Sequence, residues 1–123
     1  MNGGHEARIL GRWGESMVAK DLRRRKWSIL NAGFRCRFGE IDLIASDGKY
    51  LAFIEVKLRK NADYGTAAEF VDARKQQKLR ATAEFYLSRV QTKLQPRFDV
   101  AEVYAPQGIH TQNPQINYIE NAF

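Results

Sequence analysis

The sequence predicts an α/β fold in which a mixed β-sheet is flanked by helices, in the order helix, three strands, helix, strand and a further short strand. Three observations predict it. Apolar residues recur at helical spacing before residue 27 and again after residue 66, whereas the segments between and beyond alternate with the period of two that strands require. Asp47-Gly48 lies between two of the alternating runs, the signature of a tight antiparallel connection. The second helical run separates the third strand from the fourth and is long enough for a crossover, hence for one parallel pair in the sheet.

Taken in order, residues from about His5 to Lys26 form the first helix, with Ile9, Trp13, Val18 and Leu22 on one side, Leu10 and Met17 beside them, and no proline. Gly11 and Gly14 either weaken this helix or let a neighbour approach closely. Arg23-Arg24-Arg25-Lys26 at its end complements the helix dipole or adds to a basic surface. Trp27–Phe34, Gly39–Ala45 and Tyr50–Leu58 read as three strands. Thr66-Ala67-Ala68-Glu69 matches a capping box and opens a second helix reaching about Val90, with Leu79, Ala83, Tyr86 and Val90 toward the sheet. Pro96 precedes the alternating Arg97–Tyr104, the fourth strand, and residues Ile109 to Ile119 supply a short edge strand.

A chain of 123 residues is expected to form a single domain, residues 1–123, with one substantial core. Its 20 Lys and Arg against 14 Asp and Glu give a net charge of +6, which favours polyanionic partners. No apolar run approaches the roughly 18 residues of a membrane span, and the N-terminus lacks the apolar core of a secretory signal, so a cytoplasmic location without membrane partners is expected. Cys36 stands alone, which excludes an internal disulfide and a cysteine metal cluster and suits a small, partly buried filler. His5 and His110 lie near opposite ends in no ligand spacing.

The chemistry concentrates between Gly39 and Lys60. Period-two alternation sets Glu40, Asp42 and Ile44 opposite Ile41, Leu43 and Ala45, and sets Phe53, Glu55, Lys57 and Arg59 opposite Ala52, Ile54, Val56 and Leu58, so that each strand keeps one apolar face for the core. Hairpin pairing then brings Asp42 beside Glu55 and Lys57, in a register that a one-residue slip would undo. Two carboxylates and an ammonium at a sheet are the parts of a metal-dependent phosphodiesterase, because phosphodiester hydrolysis needs an activated water and neutralised phosphoryl charge. Mg²⁺ or Mn²⁺ with few protein oxygens suits Asp42 and Glu55, with the Val56 carbonyl as a third ligand. Lys57 would orient or deprotonate the water or stabilise transition-state charge; a base needs a depressed pKa, which a nearby cation could provide and two nearby carboxylates would oppose, and this favours the electrostatic role. The competing structural reading is a buried ion pair of Lys57 with Asp42 or Glu55, which costs desolvation and is not needed to hold a hairpin.

Gly14-Glu15, Gly39-Glu40-Ile41-Asp42-Leu43-Ile44-Ala45, Phe53-Ile54-Glu55-Val56-Lys57, Arg59, Lys75 and Arg97-Phe98-Asp99-Val100 resemble the YraN family of uncharacterised bacterial proteins over nearly the whole chain. The element order, with Asp42 on the second strand and Glu55-Val56-Lys57 on the third, resembles the PD-(D/E)xK nuclease superfamily of type II restriction enzymes and archaeal Holliday-junction resolvases. Ile41 stands where the superfamily's name has proline. The resemblance implies a restriction-endonuclease-like core and a metal-dependent endonuclease; the leading expectation is DNA, branched or damaged, in repair or recombination, with RNA as a variant that no base-reading motif in the sequence excludes. It further implies an acidic group on the first helix, Glu15, facing Asp42; the alternative is a surface glutamate pairing with Arg12 or Arg8. Arg59 and Lys75 are expected to hold phosphates flanking the scissile one. Readings of another class are a nucleic-acid-binding module without turnover and a subunit completed by a partner. Cutting both strands of a duplex would call for a symmetric homodimer, with Tyr118, Ile119 and Phe123 as its interface unless they cover the domain core.

Overall fold

Val18 and Leu22, one turn apart and fully buried, fix how helix α1 (Gly3–Arg24) lies across the sheet in a computed structural model that describes residues 3–60 and 71–123. The sheet consists of β1 (Ser28–Cys36), β2 (Gly39–Ser46), β3 (Tyr50–Arg59), β4 (Gln95–Tyr104) and β5 (Gln115–Ile119), side by side in that order. Helix α2 (Ala73–Arg89) carries the chain from β3 to β4, which are parallel; the other three pairs are antiparallel. The predicted mixed sheet with helices packed against it is therefore the fold, with helix, three strands, helix and two strands in sequence.

The β2–β3 hairpin forms where Asp47-Gly48 places it. Asp47 Oδ1 accepts from the amides of Lys49 (2.9 Å) and Tyr50 (2.8 Å), Ser46 Oγ accepts from Gly48 N (3.0 Å), and Gly48 takes φ +95°. Beyond it Ser46 faces Leu51 and Leu43 faces Ile54.

Both faces of the sheet's centre are covered. On one, Val18, Ala19 and Leu22 of α1 pack on Leu43, Ala45, Ala52, Ile54, Ala101 and Val103; on the other, Leu79 and Ala83 of α2 pack on Ile44, Leu51, Phe53 and Val100. Leu51 through Glu55 are consecutively buried, so β3 does not keep the single apolar face expected of it: a central strand between two helix layers is dry on both sides. The alternation of β2 also changes. Ile41 joins the α2-side core with Ile44 while Leu43 joins the α1-side core, so the faces switch at Asp42.

Element ends differ from expectation. Helix α1 stops at Arg24, Lys26 turning at φ 70°, and β1 runs on to Cys36, a free, half-buried thiol. Helix α2 begins at Ala73, with Asp72 as N-cap accepting from the Lys75 amide at 2.8 Å, and it ends before Val90; the Thr66–Glu69 capping box lies outside the described residues. Of the two glycines in α1, Gly14 serves a close approach: a Cβ there would fall inside van der Waals contact of Leu58 Cδ2, whereas one at Gly11 meets nothing. No helix among the described residues is long and apolar enough to cross a membrane.

A second buried polar centre ties down the C-terminal segment. Asp99, fully buried in β4, accepts from Arg97 Nε (2.9 Å) and Nη2 (3.0 Å), from the Tyr118 hydroxyl and from the Asn121 amide (2.8 Å). Tyr118, Ile119 and Phe123, the candidate dimer interface, pack on the two cores, and Phe123 stacks on Phe98.

Candidate functional site

Backbone pairing of β2 with β3 runs only from Ser46–Leu51 to Leu43–Ile54. One step further out, the Val56 amide donates to Asp42 Oδ2 at 2.8 Å, so a carboxylate takes the place a strand carbonyl would hold. This happens at the residue where β2 switches faces, and it sets Asp42 next to the outer half of β3, where Glu55 and Lys57 share one side of the strand.

The α2 side supplies a second cation. With Asp72 capping the helix, the first turn carries Lys75 over β3, and its Nζ lies 2.8 Å from Glu55 Oε1. Lys57 Nζ is 3.7 Å from the same oxygen. Glu55 is thus buried between two ammonium groups, and the competing ion pair exists for Glu55, with Lys75 the nearer partner.

From the opposite side of the sheet α1 contributes Glu15, which lines with Asp42 one groove between α1 and β2. Among the described residues Glu15 forms no ion pair with Arg12 or Arg8, although the Arg12 charge is felt at its carboxyl. Glu40 pairs instead with Arg35 (3.0 Å) on the exposed surface.

Burial is the main reason the Asp42 acid is pushed up to about 7; the charges of Glu55 and Glu15 add to it, while the Val56 amide and the Lys75 ammonium oppose it. Burial also raises Glu15, with help from Glu40 and Glu55 and against Arg12. Lys57 is held below the usual lysine range, first by burial and then by Lys75, against the pull of Glu55 and Asp42. For Lys75 burial works the same way, but the hydrogen bond and charge of Glu55 outweigh it and hold it above that range. The carboxylates do oppose the depression of Lys57, as expected, but burial together with the nearby Lys75 cation outweighs them.

Arg59 stands apart. Two residues beyond Lys57 on β3, it is 8% exposed and its Nη1 pairs with Glu102 of β4, whose Oε1 accepts from Asn117 Nδ2 at 2.9 Å. Asp42, Glu55, Lys57, Lys75 and Glu15 are brought together; Arg59 belongs to a neighbouring buried network. Sequence reasoning missed Asp72, which aims Lys75. Its signal was an acidic residue immediately before a helical run.

No three His, Cys, Asp or Glu side chains among the described residues are grouped closely enough to hold a metal ion by themselves. The donor set is sparser: Asp42 and Glu55, with the intervening carbonyl of Val56. It suits a hard cation that retains several waters, and the mutual repulsion that helps raise Asp42 is the charge imbalance such a cation relieves. The residues fit Mg²⁺ or Mn²⁺ on these grounds.

The profile of the uncharacterised protein family UPF0102 matches residues 14–103, a stretch that contains Glu15, Asp42, Glu55, Lys57 and Lys75. Among similar proteins, a UPF0102 protein of Caldicellulosiruptor saccharolyticus is 38% identical over 117 residues, covering 94% of this chain and 98% of its own. One of Caldanaerobacter subterraneus subsp. tengcongensis is 39% identical, covering 94% and 95%, and one of Geobacter sulfurreducens is 38% identical, covering 98% and 93%.

Proposed function

The chain belongs to the UPF0102 family, and we propose that it is a Mg²⁺- or Mn²⁺-dependent endonuclease that hydrolyses phosphodiester bonds in DNA, with branched or damaged DNA in repair or recombination as its field. The observation that carries this reading is the bond from Val56 N to Asp42 Oδ2, which clamps a carboxylate of β2 beside Glu55 and Lys57 of β3. The resemblance to the PD-(D/E)xK nucleases and the +6 charge support the substrate class.

Asp42 and Glu55, with the Val56 carbonyl, would hold the cation, which when bound neutralises phosphoryl charge and lowers the pKa of water. The chain's own groups do the rest. Lys57, held below the usual lysine range, would take a proton from the attacking water at Nζ. Lys75 keeps its charge and orients Glu55 through the 2.8 Å contact. Glu15, on the facing helix, adds a third carboxyl near the corner of Asp42, where it would hold a water of the site rather than the cation itself.

The test is cleavage of a labelled panel comprising single strand, duplex, flap, splayed arm, four-way junction and structured RNA, with Mg²⁺ or Mn²⁺. Metal-dependent product from the wild type and none from Lys57→Ala would support the reading and name the substrate. Intact substrates throughout, or equal cleavage by Lys57→Ala, would remove it.

A further inference from the structure

A groove of about 810 Å³ runs between α1 and the β1–β2 half of the sheet and reaches Asp42 and Glu15. Its helical wall is a stripe. Arg8, Arg12 and Arg23 all line the groove, at positions that a period of 3.6 keeps on one face of α1, and they span about 22 Å of helix. All three are exposed and form no ion pair among the described residues, unlike Arg25, which holds Asp21 at 3.1 Å. Unpaired arginines aligned along one wall are a poor way to stabilise a helix and a good way to track a row of anions.

The facing wall is low and open. Gly33 lines it between the Ala32–Leu43 and Phe34–Ile41 pairs of β1 and β2, at φ +72°, and a Cβ on Gly33 or on Gly11 across from it would meet no atom within 4 Å. Arg35 stands on the same wall, its pair with Glu40 wholly on the surface, where such pairs are weak and give way to a stronger anion. The groove therefore carries guanidinium groups toward both ends of its helical wall and one on the facing wall, small and apolar residues between them, and carboxylates at Glu15 and Asp42, where it meets the candidate site, and at Glu40, which Arg35 pairs.

We propose that this groove holds a single nucleic-acid strand, whose phosphates lie along Arg8, Arg12 and Arg23 and which enters the corner of Asp42 and Glu15. A duplex does not suit it. The major groove of B-form DNA alone is about 12 Å wide, and a duplex carries its phosphates on the outside of two strands, whereas this space is a cleft between one helix and the β1–β2 pair. One flexible strand with a single row of phosphates matches both the length and the one-walled charge. The strand's destination rests on the hydrolytic reading above; its binding along the groove does not. Under that reading, the preferred substrate has an unpaired strand or flap rather than an uninterrupted duplex.

The experiment is fluorescence anisotropy of a labelled oligo-dT and of a blunt duplex, in EDTA and over a salt series, with the full chain. Wild type is expected to bind the single strand more tightly than the duplex. The triple variant Arg8→Ala, Arg12→Ala, Arg23→Ala should weaken single-strand binding and flatten the plot of log affinity against log salt by about 2, at roughly 0.7 for each phosphate that an arginine neutralises. Lys93→Ala, a basic residue outside the groove, should change neither. Gly11→Leu gives an independent reading: its Cβ meets nothing and its side chain extends into the groove, so it should weaken single-strand binding without lowering the melting temperature. Unchanged binding by the triple variant, or equal affinity of wild type for duplex and single strand, would overturn the proposal. The two readings fail separately. Intact groove binding with no cleavage of any substrate removes the hydrolytic reading alone; Asp42-dependent cleavage with groove variants that bind like wild type removes the groove alone.

Discussion

The Val56 amide and the Asp42 carboxylate, fourteen residues apart in sequence, are joined at 2.8 Å where β2 and β3 stop pairing. One bond closes the end of the hairpin and holds an acid beside Glu55. The two tasks are separable, because an asparagine side-chain oxygen accepts the same amide without the charge. Asp42→Asn is expected to remain folded, with a far-ultraviolet spectrum like that of the wild type, and to lose metal-dependent cleavage to background. Asp42→Ala should lose cleavage too, but also cost about 1–3 kcal/mol in denaturant unfolding by stranding the amide. A fully active Asp42→Asn protein would show that the carboxylate serves the hairpin alone.

The raised Asp42 acid gives the metal-free protein a pH dependence of definite sign. Between the unfolded value of 3.8 and the folded value of about 7, the native state holds a proton that the unfolded chain releases. The contribution of this group to stability therefore falls as pH rises across that window and levels off above it. Urea midpoints in EDTA should show the wild type losing more stability from pH 5 to pH 8 than Asp42→Asn, which has nothing to ionise there. Parallel curves for the two proteins would mean that Asp42 is not buried among repelling carboxylates.

Lys57 and Lys75 meet the same oxygen of Glu55, at 3.7 and 2.8 Å, but burial and the neighbouring charge hold Lys57 down while Glu55 holds Lys75 up. Lys57→Ala should lower cleavage by about 10²–10⁴-fold, the usual scale for a proton-transfer group. Lys75→Met is expected to leave measurable cleavage and to move the rising limb of its pH–rate profile to higher pH. Losing the Lys75 charge removes a cation that disfavours protonated Lys57 and leaves Glu55 to Lys57 alone. A limb that stays in place would assign the proton transfer to another group.

The hairpin at the heart of this site was legible because its determinants are local: Ser46, Asp47 and Gly48 satisfy one another within the turn, and hairpin pairing carries Asp42 to Glu55. What escaped depends on neighbours far away in the chain. Thr66 and Asp72 each carry an N-cap signal, and the local pattern does not choose between them; Asp72 caps the described helix. Arg59 and Lys75 looked alike as flanking cations, but the parallel register, which sets Lys57 opposite Glu102, gives Arg59 a buried partner while the start of α2 gives Lys75 to Glu55. The switch of faces at Asp42 departs from strict alternation, and no residue pattern in β2 announces it.

Asp99 is the group on which the far edge of the sheet depends. It is wholly buried, and Arg97, Tyr118 and Asn121 all donate to it, while Arg97 also lies over the Trp27 and Tyr50 rings. Asp99→Ala leaves the buried Arg97 guanidinium with only the exposed Glu120 carboxylate, 3.6 Å away, and should cost about 3 kcal/mol in denaturant unfolding. Tyr118→Phe removes one donor and keeps the ring against Trp27, so about 1 kcal/mol is expected. Losses of similar size from the two variants would contradict the central place given to the carboxylate.

Gly14 decides how closely α1 sits on β3, and so how near Glu15, its neighbour in sequence, comes to Asp42. A methyl group at position 14 would overlap Leu58 Cδ2 and crowd its Cγ and Cδ1, so Leu58 must shift or the helix must lift. Gly14→Ala should therefore be destabilising by about 1–3 kcal/mol from overpacking, offset by up to about 1 kcal/mol from removing a glycine within the helix. Gly14→Ala combined with Leu58→Ala should cost less than the sum of the single changes, because the smaller residue makes room for the added methyl. With α1 resting on Leu58, cleavage by Gly14→Ala should fall and recover in the double variant together with stability. Strict additivity of the two changes would place the helix farther from β3, and Glu15 with it.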